Sequence, residues 1–182
     1  LFEVATGGQY TTEAKMASLI GYLVWRVAAG LMAELSDSVA DDAQWGTLEQ
    51  VWLSGLPAAI LFARSGVLIL YYTVRSLIMG AIILLVLRIP LTFTLADMPG
   101  AVLIYLLTLV SPFGLALVLS GLHLAFKNVN AITQPLATVL LFLTGAVVPL
   151  TGLPVLYLVS RFLPLSIGVE LLRDLLVENV AF

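Results

Sequence analysis

A few charged side chains set inside long apolar runs are the residues of this chain that could do chemistry. Arg26 and Arg75 each lie within an apolar stretch, and His123 is the only histidine among the 182 residues. A charge at membrane depth needs a protein interior, a water-filled cavity or an acidic partner. Arg26 and Arg75 are therefore candidates for a transport path. The alternative is an arginine that extends its charged end to the membrane surface.

His123 and Pro112 allow two interpretations each. His123 has no acidic residue or second histidine nearby in sequence, which favours a hydrogen-bonded or interfacial histidine over a ligand or proton relay. Pro112 removes a backbone hydrogen bond from the middle of a long apolar run, so the sequence predicts a kink there. A kinked helix can line a substrate path or simply pack against a neighbour.

Motifs for catalysis are missing from the sequence. It contains no cysteine, no G-x-x-x-x-G-K-[ST] phosphate loop, no H-E-x-x-H pair and no nucleophile elbow. We expect no catalytic residue, no metal site and no cofactor in this chain. The net charge of -3 excludes nucleic acid as a partner, because phosphate binding needs a basic face.

The composition is that of an integral membrane protein. Hydrophobic residues make up 61% of the chain and charged residues 10%, against about a quarter charged in soluble domains. The apolar segments are long and do not alternate with a period of two, which favours helices over a barrel. The sequence predicts an all-α, polytopic helical protein with the lipid bilayer as its surroundings.

The chain divides into about four crossings and two polar regions. We expect spanning helices at about 16–35, 66–88, 100–126 and 131–149, and short membrane-face helices within 155–177. Two pairs of small residues, Ala17 with Gly21 and Ser76 with Gly80, are spaced four apart, as is typical of closely packed membrane helices.

A polar stretch from Asp41 to Pro57 separates the first two crossings. Leu48, Val51, Trp52 and Leu56 recur in it at intervals of three and four residues, which predicts an amphipathic helix with one apolar stripe. Such a helix can lie at the membrane surface with its stripe in the headgroup region and its polar side turned to a soluble partner.

Two blocks of sequence resemble a known family. The first is Gly46-Thr47-Leu48-Glu49-Gln50 followed by Gly55-Leu56-Pro57. The second runs from Phe142 to Leu150 and continues with Leu153-Pro154, Leu163-Pro164-Leu165-Ser166 and Glu170-Leu171-Leu172-Arg173. Their order and separation resemble the permease subunits of ABC transporters of the type-2 exporter superfamily. The charged Glu-Arg-Glu run usual before the Gly-Thr is replaced here by Asp42, Ala43 and Gln44.

The resemblance implies an exporter that is not itself an enzyme. It would move a hydrophobic or lipid-linked substrate out of the cell across the plasma membrane, paired with a second permease copy as a homo- or heterodimer. ATP and magnesium would be bound by a separate ABC-type ATPase subunit. Six spans are usual in the family, so about four would be present here, with the first and the last missing.

The resemblance also assigns a coupling role to the polar stretch. It implies a cytoplasmic coupling helix at about 38–55 that contacts the ATPase subunit. The contacting residues would be Asp41, Asp42, Trp45, Gly46, Thr47, Glu49 and Gln50. Two other functions remain open: an ion-coupled carrier that uses Arg26, Arg75 and His123, and a membrane scaffold that does not transport.

The distribution of basic residues opposes the orientation that the resemblance implies. With the Asp41 to Pro57 stretch in the cytoplasm, the alternating spans leave four basic residues outside and two inside. Those outside are Lys15, Arg88, Arg161 and Arg173, and those inside are Arg64 and Lys127. We place the polar stretch in the cytoplasm on the strength of the motif.

Overall fold

The computed structural model describes residues 12–87, 98–126, 130–146 and 158–176, all of them in helices or in short connections between helices. Six helices follow one another: α1 (Thr12–Gln44), α2 (Leu48–Leu53), α3 (Pro57–Leu87), α4 (Met98–Ala125), α5 (Asn130–Leu143) and α6 (Pro164–Leu176). No strand occurs in these ranges. The prediction of an all-α polytopic membrane protein is confirmed.

Three helices are long and apolar enough to cross a membrane. They are α1 over Lys15–Gln44, α3 over Pro57–Val86 and α4 over Met98–Ala125, while the apolar part of α5, Ile132–Leu143, is shorter. The α3 helix is the most exposed of the three, with many large apolar side chains on its surface. Such a surface suits lipid or another membrane helix.

The helix α1 lies at the centre of the bundle, because it contacts each of the other helices. Its side chains Val27, Ala28, Leu31, Met32 and Leu35 are almost completely buried. The core is completed by small and branched side chains of three helices, which are Ala101, Ala116 and Leu119 of α4, Ala137 and Leu140 of α5, and Leu165, Val169, Leu172 and Leu175 of α6.

Both pairs of small residues lie at close helix contacts, as their spacing predicts. On α3, the Ser76 hydroxyl donates to the Leu23 carbonyl at 3.1 Å, and Gly80 packs against the Leu23 side chain. On α1, Gly21 lies against Ala146 and the Arg173 guanidinium. Small side chains let the backbones approach, and here they also let polar groups reach backbone carbonyls.

The first helix continues well beyond its predicted end. We expected a span at 16–35 and a separate helix at 38–55, but α1 runs to Gln44 and α2 covers only Leu48–Leu53. The polar residues after Leu35 do not end the helix because their side chains find partners within it or beside it. Ser38 Oγ donates to its own helix at Leu35 O, 3.0 Å away, and Ser36 Oγ lies 2.6 Å from His123 Nδ1.

The second long helix begins earlier than predicted. We placed the span at 66–88, but α3 begins at Pro57 and is continuous to Leu87. Proline suits the first position of a helix, where its missing N–H would have no partner. Arg64 does not interrupt α3, because it forms an ion pair with Asp42 at the same end of the bundle. Arg88 lies outside the described residues.

The third long helix, α4, runs from Met98 to Ala125, against a predicted span of 100–126. Pro112 lies inside this helix, which is assigned as one element on both sides of it. Its side chain is fully buried. Burial supports the interpretation in which Pro112 packs against its neighbours.

The last part of the chain is broken sooner than expected. The predicted span 131–149 corresponds to α5, which ends at Leu143 and is followed by a turn in which Gly145 has a φ of 64°. Residues 147–157 lie outside the described part, and of the short helices predicted within 155–177 one is seen as a single turn at 158–160. The other is α6, which begins at Pro164.

Candidate functional site

The connection between α1 and α3 is a compact structure with a tight turn at each side of α2. The turn before α2 is Trp45-Gly46-Thr47, and Gly46 has a φ of 71°; Gly55, after α2, has a φ of 76°. These left-handed conformations favour glycine. Neither glycine has another group near its Cβ position, so the backbone conformation, and not space, requires glycine there.

Asp42 ties this connection to both long helices. One carboxylate oxygen accepts from Arg64 Nη1 of α3 at 2.6 Å, and the other accepts from the Thr47 hydroxyl at 3.0 Å. Arg64 Nη1 also lies 3.4 Å from Ser38 Oγ. A single carboxylate at the end of α1 thus holds the turn and the first part of α3. Arg64 was not among the predicted site residues, although its charge beside an acidic stretch was a usable signal.

The helix α2 has an inner and an outer face. Leu48 and Val51 are half-buried, while Glu49, Gln50 and Leu53 fall on the opposite side of a helix with 3.6 residues per turn. Exposure reaches 85% for Leu53 and 66% for Trp52. The outer face therefore presents polar groups together with a large apolar surface.

The structure divides the seven residues predicted to contact the ATPase. Asp41 and Asp42 belong to the last turn of α1, and only Glu49 and Gln50 lie on α2. Trp45, Gly46 and Thr47 form the turn between them. Trp45 is 81% exposed, whereas Asp42 and Thr47 bond to each other. Asp42 and Thr47 are thus structural parts of the turn.

A cavity of about 770 Å³ lies beside the turn, between the ends of α1 and α4. Its lining includes Asp37, Asp41 and Gln44 from α1 together with His123 from α4. His123 has a hydrogen-bond partner in Ser36, which confirms the interpretation of this histidine as a satisfied one. The two carboxylates give the cavity a negative character.

Arg26 lies on the side of α1 that meets α3. The ring of Tyr72 packs against Gly30, one turn further along α1, and its hydroxyl donates to Glu34 at 3.3 Å. Arg26 is half-buried and close enough to Tyr72 to act on it electrostatically. Arg26 and Glu34, of opposite charge, thus flank one tyrosine between two spanning helices.

Arg75 and Pro112 do not join Arg26 in one cavity. Arg75 is exposed and lines a shallow groove formed by residues of α3 alone, among them Val67, Tyr71 and Ile78. Pro112 is buried in α4. Of the three predicted path residues, Arg26 is the one that the described structure places in a polar contact region between two long helices.

The other end of α1 contains a polar contact that the sequence did not reveal. Arg173 of α6 donates from Nε to the Ala17 carbonyl at 2.8 Å and from Nη2 to the Thr144 carbonyl at 3.0 Å. The sequence indicated Arg173 only as part of the second resembling block and as one of the basic residues outside the membrane. Burial lowers the pKa of Arg173, and the nearby Glu170 and Asp174 carboxylates oppose that shift. An arginine remains charged in such surroundings.

The family follows from comparison with known proteins. The model of the ABC-2 type transporter family matches residues 5–177, nearly the whole chain. The chain therefore belongs to the ABC-2 type transporter family, as a transmembrane permease component that pairs with an ABC ATPase subunit. Comparison with curated proteins and with solved structures gave no match.

Proposed function

We propose that this chain is the permease subunit of an ATP-driven exporter, in which α2 and the turn before it receive the movement of the ATPase subunit. The observation that carries the proposal is the exposed outer face of α2, held between two spanning helices. Glu49, Gln50 and Leu53 form that face, with Trp45 and Trp52 beside it. Exposed aromatic and aliphatic side chains among polar ones are typical of a protein-binding surface.

The contacts of Asp42 support transmission of a push on α2 to both helices. Because Asp42 bonds to Arg64 and to Thr47, the turn, the end of α1 and the start of α3 move together. A movement of α2 then becomes a tilt of α1 and α3, a rigid-body change of the kind that interconverts two states of a transporter. The acidic cavity next to the turn extends the docking surface toward a basic group of the partner.

The substrate path in this proposal follows α1 and is completed by a second permease copy. Arg26, Tyr72 and Glu34 supply polar groups at a depth where charged side chains mark function. They support a path for an amphipathic molecule, such as a lipid-linked one, whose polar part needs partners inside the membrane. We locate the working protein in the plasma membrane as a multi-pass subunit, with α2 in the cytoplasm.

Binding of the ATPase tests the docking surface. Leu53→Asp places a charge at the centre of the outer face, and we expect it to weaken capture of the ATPase subunit encoded beside the permease about tenfold or more. The control is Ser54→Asp, which places the same charge on an exposed residue at the end of α2. Equal capture by all three proteins would contradict a docking role for this face.

ATP turnover tests coupling apart from binding. Glu49→Lys reverses a charge on the outer face, and Gly46→Val forces a branched residue into a left-handed conformation that costs about 1–2 kcal/mol. We expect both variants to insert normally and to lose most of the stimulated ATP turnover. Gly66→Val is the control, since Gly66 lies in α3 with no group near its Cβ position. Full stimulation in both test variants would exclude a coupling role.

Transport of a fluorescent lipid analogue in vesicles tests the path. Arg26→Leu should reduce export about tenfold while leaving ATPase capture intact, whereas an arginine that only reaches the surface would tolerate the change. The same vesicles separate the other two functions. An ion-coupled carrier would transport on an imposed gradient without ATP, and a scaffold would transport under neither condition.

A further inference from the structure

The carbonyl groups at the end of α5 have hydrogen-bond donors inside the bundle. Its last carbonyls would be costly to leave without partners away from water, and each has one. Thr144 Oγ1 donates to Leu141 O at 2.8 Å, the Gly145 amide donates to Phe142 O at 3.1 Å, and Ser166 Oγ of α6 donates to Leu143 O at 2.8 Å. Arg173 Nη2 of α6 donates to the Thr144 carbonyl at 3.0 Å. Two of these four partners come from α6, so side chains of α6 complete the end of α5.

The helix α6 occupies only one half of the bundle. Thr108 of α4 packs on Gly168 of α6, and Gly100 of α4 lies against Leu175. The two helices therefore run antiparallel, and α6 extends from near the middle of α4 to its first residues. The helix α6 thus lies in the half of the bundle away from the turn before α2, and the end of α5 meets it there.

Arg173 links the end of α5 to α1. Its Nε donates to Ala17 O while its Nη2 donates to Thr144 O. Gly21, one turn further along α1, leaves room for the guanidinium, because a Cβ there would collide with Arg173. Ala17 and Gln44 are 27 residues apart on one continuous helix, about 40 Å at 1.5 Å per residue. The turn before α2 lies at one end of α1, and the Arg173 contact lies at the other.

We propose that Arg173 is the residue that holds the outer end of the path closed, by fastening α1 to the end of α5. It releases when α1 tilts, because a tilt carries the Ala17 carbonyl away from a guanidinium that stays with the Thr144 carbonyl. The inference rests on the proposed exporter function and names the contact that its outward opening must break. A charged hydrogen bond to a backbone carbonyl suits this task, since it is strong when closed and can be replaced by water once opened.

Labelling of an introduced thiol tests the fastening without a known substrate. The chain has no cysteine, so Ala146→Cys gives a single thiol that α1 covers, with Gly21 as its neighbour. In the complex with the ATPase, Arg173→Gln should raise the rate of labelling by a membrane-impermeant maleimide about tenfold, since one lost charged hydrogen bond shifts an equilibrium by about that factor. Arg173→Lys keeps the charge and one donor, so its rate should fall between the two.

Two controls separate opening from loss of the fold. A thiol introduced by Ala116→Cys lies in the core, where exposure is 0%, and general unfolding would raise its labelling together with that at position 146. Arg75→Gln removes the same charge from an exposed position of α3. The proposal requires a faster reaction at position 146 alone and only in the Arg173 variants. An unchanged rate there, or a parallel rise at position 116, overturns it.

A reversible cross-link provides a second test, in which a covalent bond replaces the Arg173 contact, because a side chain at position 21 displaces the guanidinium. The Cβ position of Gly21 is 3.3 Å from Ala146 Cβ, close to the separation that a disulfide spans. Oxidation of the Gly21→Cys, Ala146→Cys protein should reduce the stimulated ATP turnover about tenfold, and a reductant should restore it. Full turnover in the cross-linked protein overturns the proposal. Failure of the unmodified complex to couple ATP turnover to transport would instead overturn the exporter function, while the labelling result would still decide whether Arg173 fastens α1.

Discussion

The two ends of α1 are held by different kinds of contact. At the end near the turn, Asp42 and Arg64 form an ion pair at 2.6 Å whose side chains keep 20% and 32% of their exposure. At the other end, Arg173 donates to two backbone carbonyls and has no carboxylate as its hydrogen-bond partner in the described contacts. The first contact joins two charged side chains that water reaches, whereas the second satisfies two backbone carbonyls, one of them on the buried Thr144.

This difference predicts that the two ends of α1 respond differently to a push on α2. A partly exposed ion pair contributes about 1 kcal/mol or less, so the turn depends on several weak contacts and its glycine conformations. Thr144 is buried, and a buried acceptor that loses its donor costs about 1–3 kcal/mol, so the Arg173 end opens only at that cost. The turn is suited to receiving a push, and the far end to opening or closing as a unit.

The largest effect should follow from closing the space at the Arg173 end. Gly21→Ala adds a Cβ that meets the Arg173 guanidinium and the Ala146 backbone, so the bundle must shift or lose hydrogen bonds, at about 3 kcal/mol. Gly66→Ala is the matched control in an open helical position and should be neutral or stabilising by about 0.5–1 kcal/mol. Denaturation in mixed detergent, followed by circular dichroism, measures both. Similar curves for the two variants would remove the distinction between the ends.

Two serines give a smaller and more direct comparison. Ser166 Oγ is buried and donates to Leu143 O at 2.8 Å, while Ser54 Oγ is exposed and donates to Val51 O at 2.6 Å. Ser166→Ala should cost about 2 kcal/mol, because Leu143 O loses its donor away from water. Ser54→Ala should cost about 0.5 kcal/mol or less, because water replaces the hydroxyl. The same denaturation assay applies, and an equal cost at both sites would argue that the end of α5 is hydrated.

The sequence was sufficient to predict the kind of secondary structure and the faces on which helices pack. It was insufficient to predict which distant residues meet. Composition and spacing alone indicate the all-α class, the long apolar helices and the close helix contact at Ser76 and Gly80. The limits of α1 and α5 do not, because they depend on partners such as His123 for Ser36 and Ser166 for Leu143. Arg173 and Ala17 are 156 residues apart, and no local pattern indicates that they meet. The polar residues that extend or end a helix here are satisfied by tertiary contacts, which local propensity does not contain.

The smallest effect should come from the ion pair at the turn. Asp42→Asn removes the charge but keeps an oxygen for the Thr47 hydroxyl, so we expect a loss of about 0.5–1 kcal/mol at low salt. Because the pair is partly exposed, the loss should shrink as salt screens the charges. Arg64→Gln and the double variant complete a cycle whose coupling energy should stay below about 1 kcal/mol. Coupling of ATP turnover should fall in both single variants even where stability barely changes, since the pair joins α1 to α3. A loss of several kcal/mol that does not depend on salt would mean that this contact resembles the Arg173 end, and that both ends of α1 switch together.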